Sequence, residues 1–239
     1  LPEDAFASLS PEVHGETWVV TRLEPTLDLL VQRSAGGLVV LVGERGAGKT
    51  AALRRLQQRM DDARLVTATE LLAERKPRRA ASRVREPAAE PAVMLVDELE
   101  ALVHFDVGGL AALDAFLDLA RETADRTLWV LAIDSAVWDL VCRLRSARTA
   151  FNTVIEVPHW TDTAIAELLQ SRVAGAGITP GYDRMIEDIA DLDDIDRREA
   201  VEAKNAAFML LLWDASDGNP GVALHLWRSV LGVAAGART

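Results

Sequence analysis

Cysteine and long apolar runs are both scarce in this sequence. Its single cysteine, Cys142, cannot form an internal disulfide, and the apolar helical pattern around it favours a buried structural thiol over a catalytic one. No apolar run approaches the roughly 18 to 20 residues that a membrane-spanning helix needs. We therefore expect no transmembrane segment in this stretch and a reducing compartment, most simply the cytoplasm.

Positive charge is also in short supply. The chain carries 26 lysine and arginine residues against 37 acidic residues, a net charge of −11, which repels phosphate backbones. The composition therefore does not support nucleic-acid binding over the whole surface, although a local contact stays open. Hydrophobic residues make up 49% of the chain, enough for one sizeable core with a satellite or for two modest domains. Since the chain starts at Leu1 rather than at a methionine, we expect it to be part of a longer protein.

Strand and helix patterns alternate over the first two thirds of the chain, after a polar N-terminal arm at residues 1–16. Apolar runs predict strands over 38–42, 92–96 and 128–133, and shorter segments with fewer apolar residues predict strands over 64–67 and 154–157. Helices are predicted over 22–32, 51–60, 69–74, 108–123 and 135–144. This alternation predicts an α/β domain over 17–158, with a parallel sheet sandwiched by helices. An arginine-rich stretch within 75–91, closed by prolines, is typical of a flexible, solvated loop.

The remainder of the chain has a helical period only. Helices are predicted around residues 165–169 and 185–189, over 201–213 and over 220–231. Asn219 suits the N-cap of the last helix, with Pro220 at its first position. Residues 159–239 are therefore predicted to form a small all-helical domain.

Glycines cluster where the strand over 38–42 meets the following helix. The run fits the G-x-x-x-x-G-K-[ST] pattern of the P-loop, or Walker A motif, with the residues Gly43, Glu44, Arg45, Gly46, Ala47, Gly48, Lys49 and Thr50. Composition alone gives this pattern a chance of roughly one in a thousand, and the alternative is an ordinary glycine-rich turn. The motif places backbone N–H groups around phosphate oxygens at a helix N-terminus.

The side chains of this motif predict ATP or ADP binding with Mg²⁺. Lys49 would neutralise the β- and γ-phosphates, and Thr50 would offer its hydroxyl to the metal ion. Ala51, the next residue, belongs to the same predicted site. Asp97 and Glu98 end a buried strand further along, as in a Walker B motif, and would hold Mg²⁺ and polarise the attacking water respectively. The alternative for this pair is a helix cap or a solvated strand end.

Together these segments resemble the AAA+ ATPases and their relatives, the STAND signalling ATPases and the origin-recognition-type initiators, over about residues 17–232. The resemblance implies that Val20-Thr21-Arg22-Leu23-Glu24 forms a box near the adenine, with Arg22 at the nucleotide. It also implies a polar sensor at the end of the strand over 128–133, where Ser135 stands, although this residue would serve equally well as a helix N-cap.

The same resemblance implies an oligomer. Arginines from a neighbouring subunit often complete such sites, and Arg143, Arg145 and Arg148 are the candidates. The helical domain resembles the AAA+ lid, which would bring Pro220 and Gly221 to the nucleotide. Many relatives carry an arginine where Gly221 stands, so coupling of the lid to the γ-phosphate is not implied.

Three functions follow as hypotheses. The first is an ATP-hydrolysing, oligomeric switch or remodeller of a macromolecular partner, protein or nucleic acid. The second is a STAND-like scaffold that is gated by nucleotide and turns over little ATP. The third, from another class, is a P-loop kinase, which leaves the Asp97-Glu98 pair and the helical domain less naturally placed.

Overall fold

A computed structural model describes residues 19–32, 36–73, 92–145, 151–175 and 193–230 of this chain. Four predicted features lie outside these residues: the arm at 1–16, the basic loop over 75–91, Arg148 and the helix around 185–189.

Strands and helices alternate in the first part of the chain, as predicted. A π-helical turn, Val19–Leu23, leads into the first helix. The strands are β1 (Gly37–Gly43), β2 (Ala63–Thr67), β3 (Ala92–Asp97), β4 (Thr127–Asp134) and β5 (Thr153–Glu156). The helices are α1 (Glu24–Gln32), α2 (Lys49–Arg59), α3 (Ala68–Ala73), α4 (Ala111–Thr123), α5 (Ser135–Leu144), α6 (Asp162–Gly175), α7 (Asp194–Ser216) and α8 (Pro220–Val230), with a short 3₁₀ helix at Leu99–Leu102.

The five strands form one parallel sheet in the order β2-β3-β4-β1-β5. This confirms the predicted α/β class. Parallel strands end at a common edge, where Gly43 lies opposite Asp134 and Thr67 lies opposite Asp97. Because β4 lies between β1 and β3, the direct neighbour of the β1 end is Asp134 rather than Asp97.

Both faces of the sheet are covered by helices. In β1, Val40 and Val42 pack with residues of α4 and α5, whereas Val39 and Leu41 pack with residues of α1 and α2. Strands that are buried on both faces have continuous rather than alternating apolar sequences, which is why these runs could be recognised. Cys142, expected to be buried, is only partly so at the edge of the first of these cores.

Most helices differ from their predicted bounds by one or two residues, and two of them start further away. The helix expected over 108–123 starts at Ala111, because Gly108 adopts φ +84° and forms a turn whose carbonyl accepts from the Ala111 N–H at 2.9 Å. The helix expected over 201–213 begins at Asp194, where the Asp193 carboxylate accepts from two backbone N–H groups. Charged residues dominate its first turns, so the apolar period underestimated its length.

The chain divides into two compact units, Glu16–Pro158 and a second one that contains His159–Thr239. The described part of the second unit is helical, with its own core, which includes Trp160, Ile165, Leu169 and Trp227. Asn219 caps α8 as predicted, accepting from the Gly221 N–H at 3.1 Å. Among the described residues, no helix combines the length and apolar character needed to cross a membrane.

One buried hydrogen bond in the first unit offers a test of this packing. The Trp129 indole N–H donates to the Thr123 hydroxyl at 3.1 Å, and the Trp129 ring meets Phe116 edge-on. Thr123→Val leaves the buried indole N–H without an acceptor, so we expect the free energy of unfolding to fall by about 1–3 kcal/mol. Urea unfolding of the full chain measures this change. Thr153→Val, a half-buried strand residue, is the control, and equal losses in both variants would contradict the assignment.

Candidate phosphate-binding site

Two glycines shape the loop between β1 and α2. Gly46 and Gly48 have φ values of +88° and +99°, which residues with a Cβ atom rarely adopt. The Ala47 N–H donates to the Glu44 carbonyl at 3.2 Å, so the chain turns tightly before the helix starts. Gly48 precedes α2 without offering a side-chain cap. Uncapped N–H groups at a helix N-terminus attract anions, and here that terminus directly follows the glycine turn.

Lys49 is held at the start of this loop. Its ammonium donates to the carbonyls of Gly43 at 2.7 Å and Glu44 at 2.9 Å, and the residue is only 8% exposed. An ammonium has three donors, so these two bonds leave one for a ligand. Gly43 itself packs closely, since a Cβ atom there would lie 2.9 Å from Val157 Cβ. The two hydrogen bonds hold the lysine against the loop, and the close packing of Gly43 holds the start of the loop against Val157.

The surroundings of Lys49 are acidic. Burial lowers the pKa of Lys49, and nearby carboxylates partly oppose this shift, in decreasing order Glu100, Asp134, Asp97 and Glu44. The structure thus brings Asp97 into the electrostatic environment of Lys49. Of these four carboxylates, Glu100 raises the pKa of Lys49 most, and no sequence pattern indicated this residue. Its position two residues after Glu98 was the available signal, but no pattern indicated where a short 3₁₀ helix would place it.

Asp97 and Glu98 lie at the end of β3 in different settings. Asp97 is 6% exposed, and its Oδ1 accepts from the Glu98 N–H at 2.9 Å. Glu98 is exposed and has φ 56°, in the left-handed region that non-glycine residues rarely occupy. Such backbone strain concentrates at functional sites. The pair therefore offers one shielded carboxylate and one free carboxylate.

The donor set can be tested against a metal ion. Among the described residues, no group of three or more histidine, cysteine, aspartate or glutamate side chains is arranged to hold one. Thr50, half-buried in the first turn of α2, and Asp97 are the candidates from the sequence. Mg²⁺ commonly takes one or two protein ligands and completes its shell with water and phosphate oxygens. The Thr50 hydroxyl and the Asp97 carboxylate are ligands of the type and number that Mg²⁺ commonly takes from a protein.

The polar residues after β4 divide their roles. The N-cap of α5 is Asp134, whose Oδ1 accepts from the Ala136 N–H at 2.9 Å. Ser135 is the first residue of the helix and is half-buried. The N-cap role that was the alternative for Ser135 therefore belongs to Asp134. Because Asp134 pairs with Gly43, Ser135 directly follows a residue at the phosphate loop.

The remaining predicted site residues belong to other elements of the chain. Arg22 is exposed in the π-helical turn, and nearby Glu24 forms ion pairs with Arg55 and Arg59 of α2. Arg143 and Arg145 are exposed at the end of α5, with Arg145 paired to Asp114 at 3.2 Å. In the second unit, Pro220 and Gly221 form the first turn of α8. A role for any of these residues in nucleotide binding stays a prediction.

Comparison with known proteins adds little to this geometry. No model of a known family matches the chain, and a search of curated proteins finds no match. Among solved structures, a single-substitution variant of RuvB from Thermotoga maritima is similar, with 17% identity and a TM-score of 0.47. The alignment covers 90% of this chain and 61% of that one. A similarity at this level assigns no function to the chain.

The loop geometry predicts a difference between two glycines. Gly48→Ala places a Cβ atom at φ +99° in the phosphate loop, and Gly108→Ala does the same at φ +84° in a loop with open space around it. Each costs about 1–2 kcal/mol of backbone strain. We expect only Gly48→Ala to weaken ATP binding, by about tenfold or more, in a calorimetric titration. Equal ATP affinity in the two variants would contradict a phosphate site at this loop.

The lowered pKa of Lys49 predicts a pH dependence. Between the folded and unfolded pKa values the unfolded chain binds more protons, so the free energy of unfolding rises with pH across that window. ATP affinity falls over the same window, because the phosphates require the ammonium. Titrations from neutral to alkaline pH measure this fall. Lys49→Met is expected to bind about 10- to 100-fold more weakly at neutral pH, with little pH dependence.

Lys204 supplies the matched control for this experiment. It is exposed on α7, so Lys204→Met removes a lysine charge without touching the loop. We expect its ATP affinity and pH dependence to match those of the unchanged protein. A pH dependence that survives in Lys49→Met would assign the titration to another group.

Proposed function

We propose that this chain is a P-loop ATPase of AAA+ type, which binds ATP with Mg²⁺ at the loop between β1 and α2 and hydrolyses it. The observation that carries the proposal is the arrangement around Lys49. The buried ammonium donates hydrogen bonds to the Gly43 and Glu44 carbonyls, which leaves one N–H for a ligand. The Asp97 carboxylate of β3 interacts electrostatically with it. A glycine-rich turn without a ligand has no need of a buried lysine.

Each residue has a chemical task under this proposal. Backbone N–H groups of residues 43–51 hold the β- and γ-phosphates, and Lys49 donates its third N–H to them. Thr50 and Asp97 hold Mg²⁺, which neutralises phosphate charge when bound. Glu98 accepts the proton of the water that attacks the γ-phosphorus. Its exposure suits this task, since the water and the nucleotide must reach it.

Assembly completes the site in the same proposal. Arg143, Arg145 and Arg148 are candidates for an arginine that reaches the nucleotide of a neighbouring subunit, an effect worth about 10³ to 10⁵ in rate. Arg145 would first have to leave Asp114, with which it forms an exposed ion pair that costs little to break. We propose a homo-oligomer in the cytoplasm, acting on a protein partner or an additional domain. Nucleic acid is a possible partner that the net charge of −11 does not support.

The helical unit is proposed to be the lid. Under this assignment Pro220, Gly221 and Arg22 contact the nucleotide, and Ser135 senses the γ-phosphate. The negative charge of Asp134 beside the loop favours a second candidate, a STAND-like scaffold that retains nucleotide with little turnover. A P-loop kinase is the least supported alternative.

The role of Glu98 can be measured directly. Glu98→Gln keeps the size of the side chain but removes the base, so turnover should fall by about 10²- to 10⁴-fold while ATP affinity is retained. Glu122→Gln, an exposed residue at the end of α4, is the control and should change neither quantity. Steady-state phosphate release and ATP titration provide the two readouts.

Three other outcomes separate the alternatives. Equal turnover in Glu98→Gln and the unchanged protein would reject Glu98 as the base. Tight ATP binding with negligible turnover at high protein concentration would select the scaffold. A phosphorylated acceptor would select the kinase.

A further inference from the structure

Glu100 follows the end of β3 in the chain and contacts the end of β4, the strand that pairs with β1. It is half-buried in the 3₁₀ helix Leu99–Leu102, between two residues that are almost fully buried, Leu99 and Leu102. The left-handed backbone of Glu98 turns the chain into this short helix directly after β3. The turn directs Glu100 back toward the sheet, because its carboxylate reaches β4.

The contact with β4 is specific. Asp134, the last residue of β4, donates its N–H to Glu100 Oε2 at 3.1 Å. Pairing between β3 and β4 extends only to Val96 and Leu131, so the Asp134 N–H lies beyond the end of that ladder. The Glu100 carboxylate takes the place that a strand carbonyl would occupy. The Asp134 N–H is partly buried, so loss of this acceptor would cost part of the penalty for an unsatisfied buried donor.

Asp134 is a junction in its own right. It pairs with Gly43, the first residue of the phosphate loop, and its side chain caps α5. Ser135 follows it directly. Fixing the backbone of Asp134 therefore fixes the loop start and the predicted sensor at once.

We propose that Glu100 is a positioning residue of this site, whose carboxylate holds the end of β4, and with it Ser135, in register with the phosphate loop. The effect on turnover rests on the proposed ATPase function, whereas the contact itself does not. Among the carboxylates that oppose the lowering of the Lys49 pKa by burial, Glu100 comes first, which agrees with this placement. Its role is distinct from that of Glu98, which is exposed and accepts a proton.

Three substitutions separate the hydrogen bond from the charge. Glu100→Ala removes both, Glu100→Asp keeps the charge but withdraws the oxygen by one methylene, and Glu100→Gln keeps an acceptor without the charge. Hydrogen exchange of the Asp134 amide, followed by NMR in the full chain, reports on the contact without any need for activity. Glu122→Ala, an exposed glutamate, is the control.

We expect Asp134 exchange to accelerate by about tenfold or more in Glu100→Ala and Glu100→Asp, and less in Glu100→Gln. Turnover should follow the same order, with kcat reduced by about 10- to 100-fold in the first two variants and KM for ATP within about twofold of the unchanged protein. If Glu100→Ala does not fold, Glu100→Asp gives the same comparison.

Unchanged Asp134 exchange in Glu100→Asp and Glu100→Ala would overturn the proposal. A fall in kcat with unchanged exchange would also overturn it, since the carboxylate would then act on the nucleotide directly. If the unchanged protein does not hydrolyse ATP, the proposed function fails, and faster Asp134 exchange still supports the contact.

Discussion

The buried ammonium of Lys49 is the constraint on which the rest of the site depends. A charge removed from water is tolerated only when it is hydrogen-bonded and paired. The Gly43 and Glu44 carbonyls provide the hydrogen bonds, and carboxylates from β3, β4 and the turn after β3 provide opposite charge. This arrangement requires a loop that curls through positive φ at Gly46 and Gly48.

The parallel sheet makes this convergence of charges possible. Its strands end at one edge, so the ends of β3 and β4, which are far apart in sequence from β1, lie near the phosphate loop. Apolar cores on both faces hold the strands in register. The polar groups at the edge then take up the positions that the ladder leaves open, as the Glu100 carboxylate does for the Asp134 N–H. Stability and chemistry are thus divided between the strand interiors and the strand ends.

The sequence predicted those features whose cause is local. The strands β1, β3 and β4 are largely continuous apolar runs, and the glycine motif carries its own turn chemistry, so both could be recognised without the fold. Other features have non-local causes. The position of β4 between β1 and β3 depends on which strands pair, and no local pattern determines that. The contact of Glu100 with Asp134 joins residues 34 apart in the chain. The start of α4 at Ala111 depended on the turn at Gly108, which an apolar period does not register.

A crystal structure of the chain with Mg²⁺ and a non-hydrolysable ATP analogue would locate the phosphates and the metal ion directly. The proposed site predicts β- and γ-phosphates within residues 43–51, with Lys49 Nζ about 2.7–2.9 Å from a phosphate oxygen. It also predicts Mg²⁺ about 2.0–2.1 Å from the Thr50 hydroxyl, and Asp97 bound to the ion directly or through water. Phosphates bound away from the loop, or no phosphate in contact with Lys49 at saturating nucleotide, would contradict the proposed site.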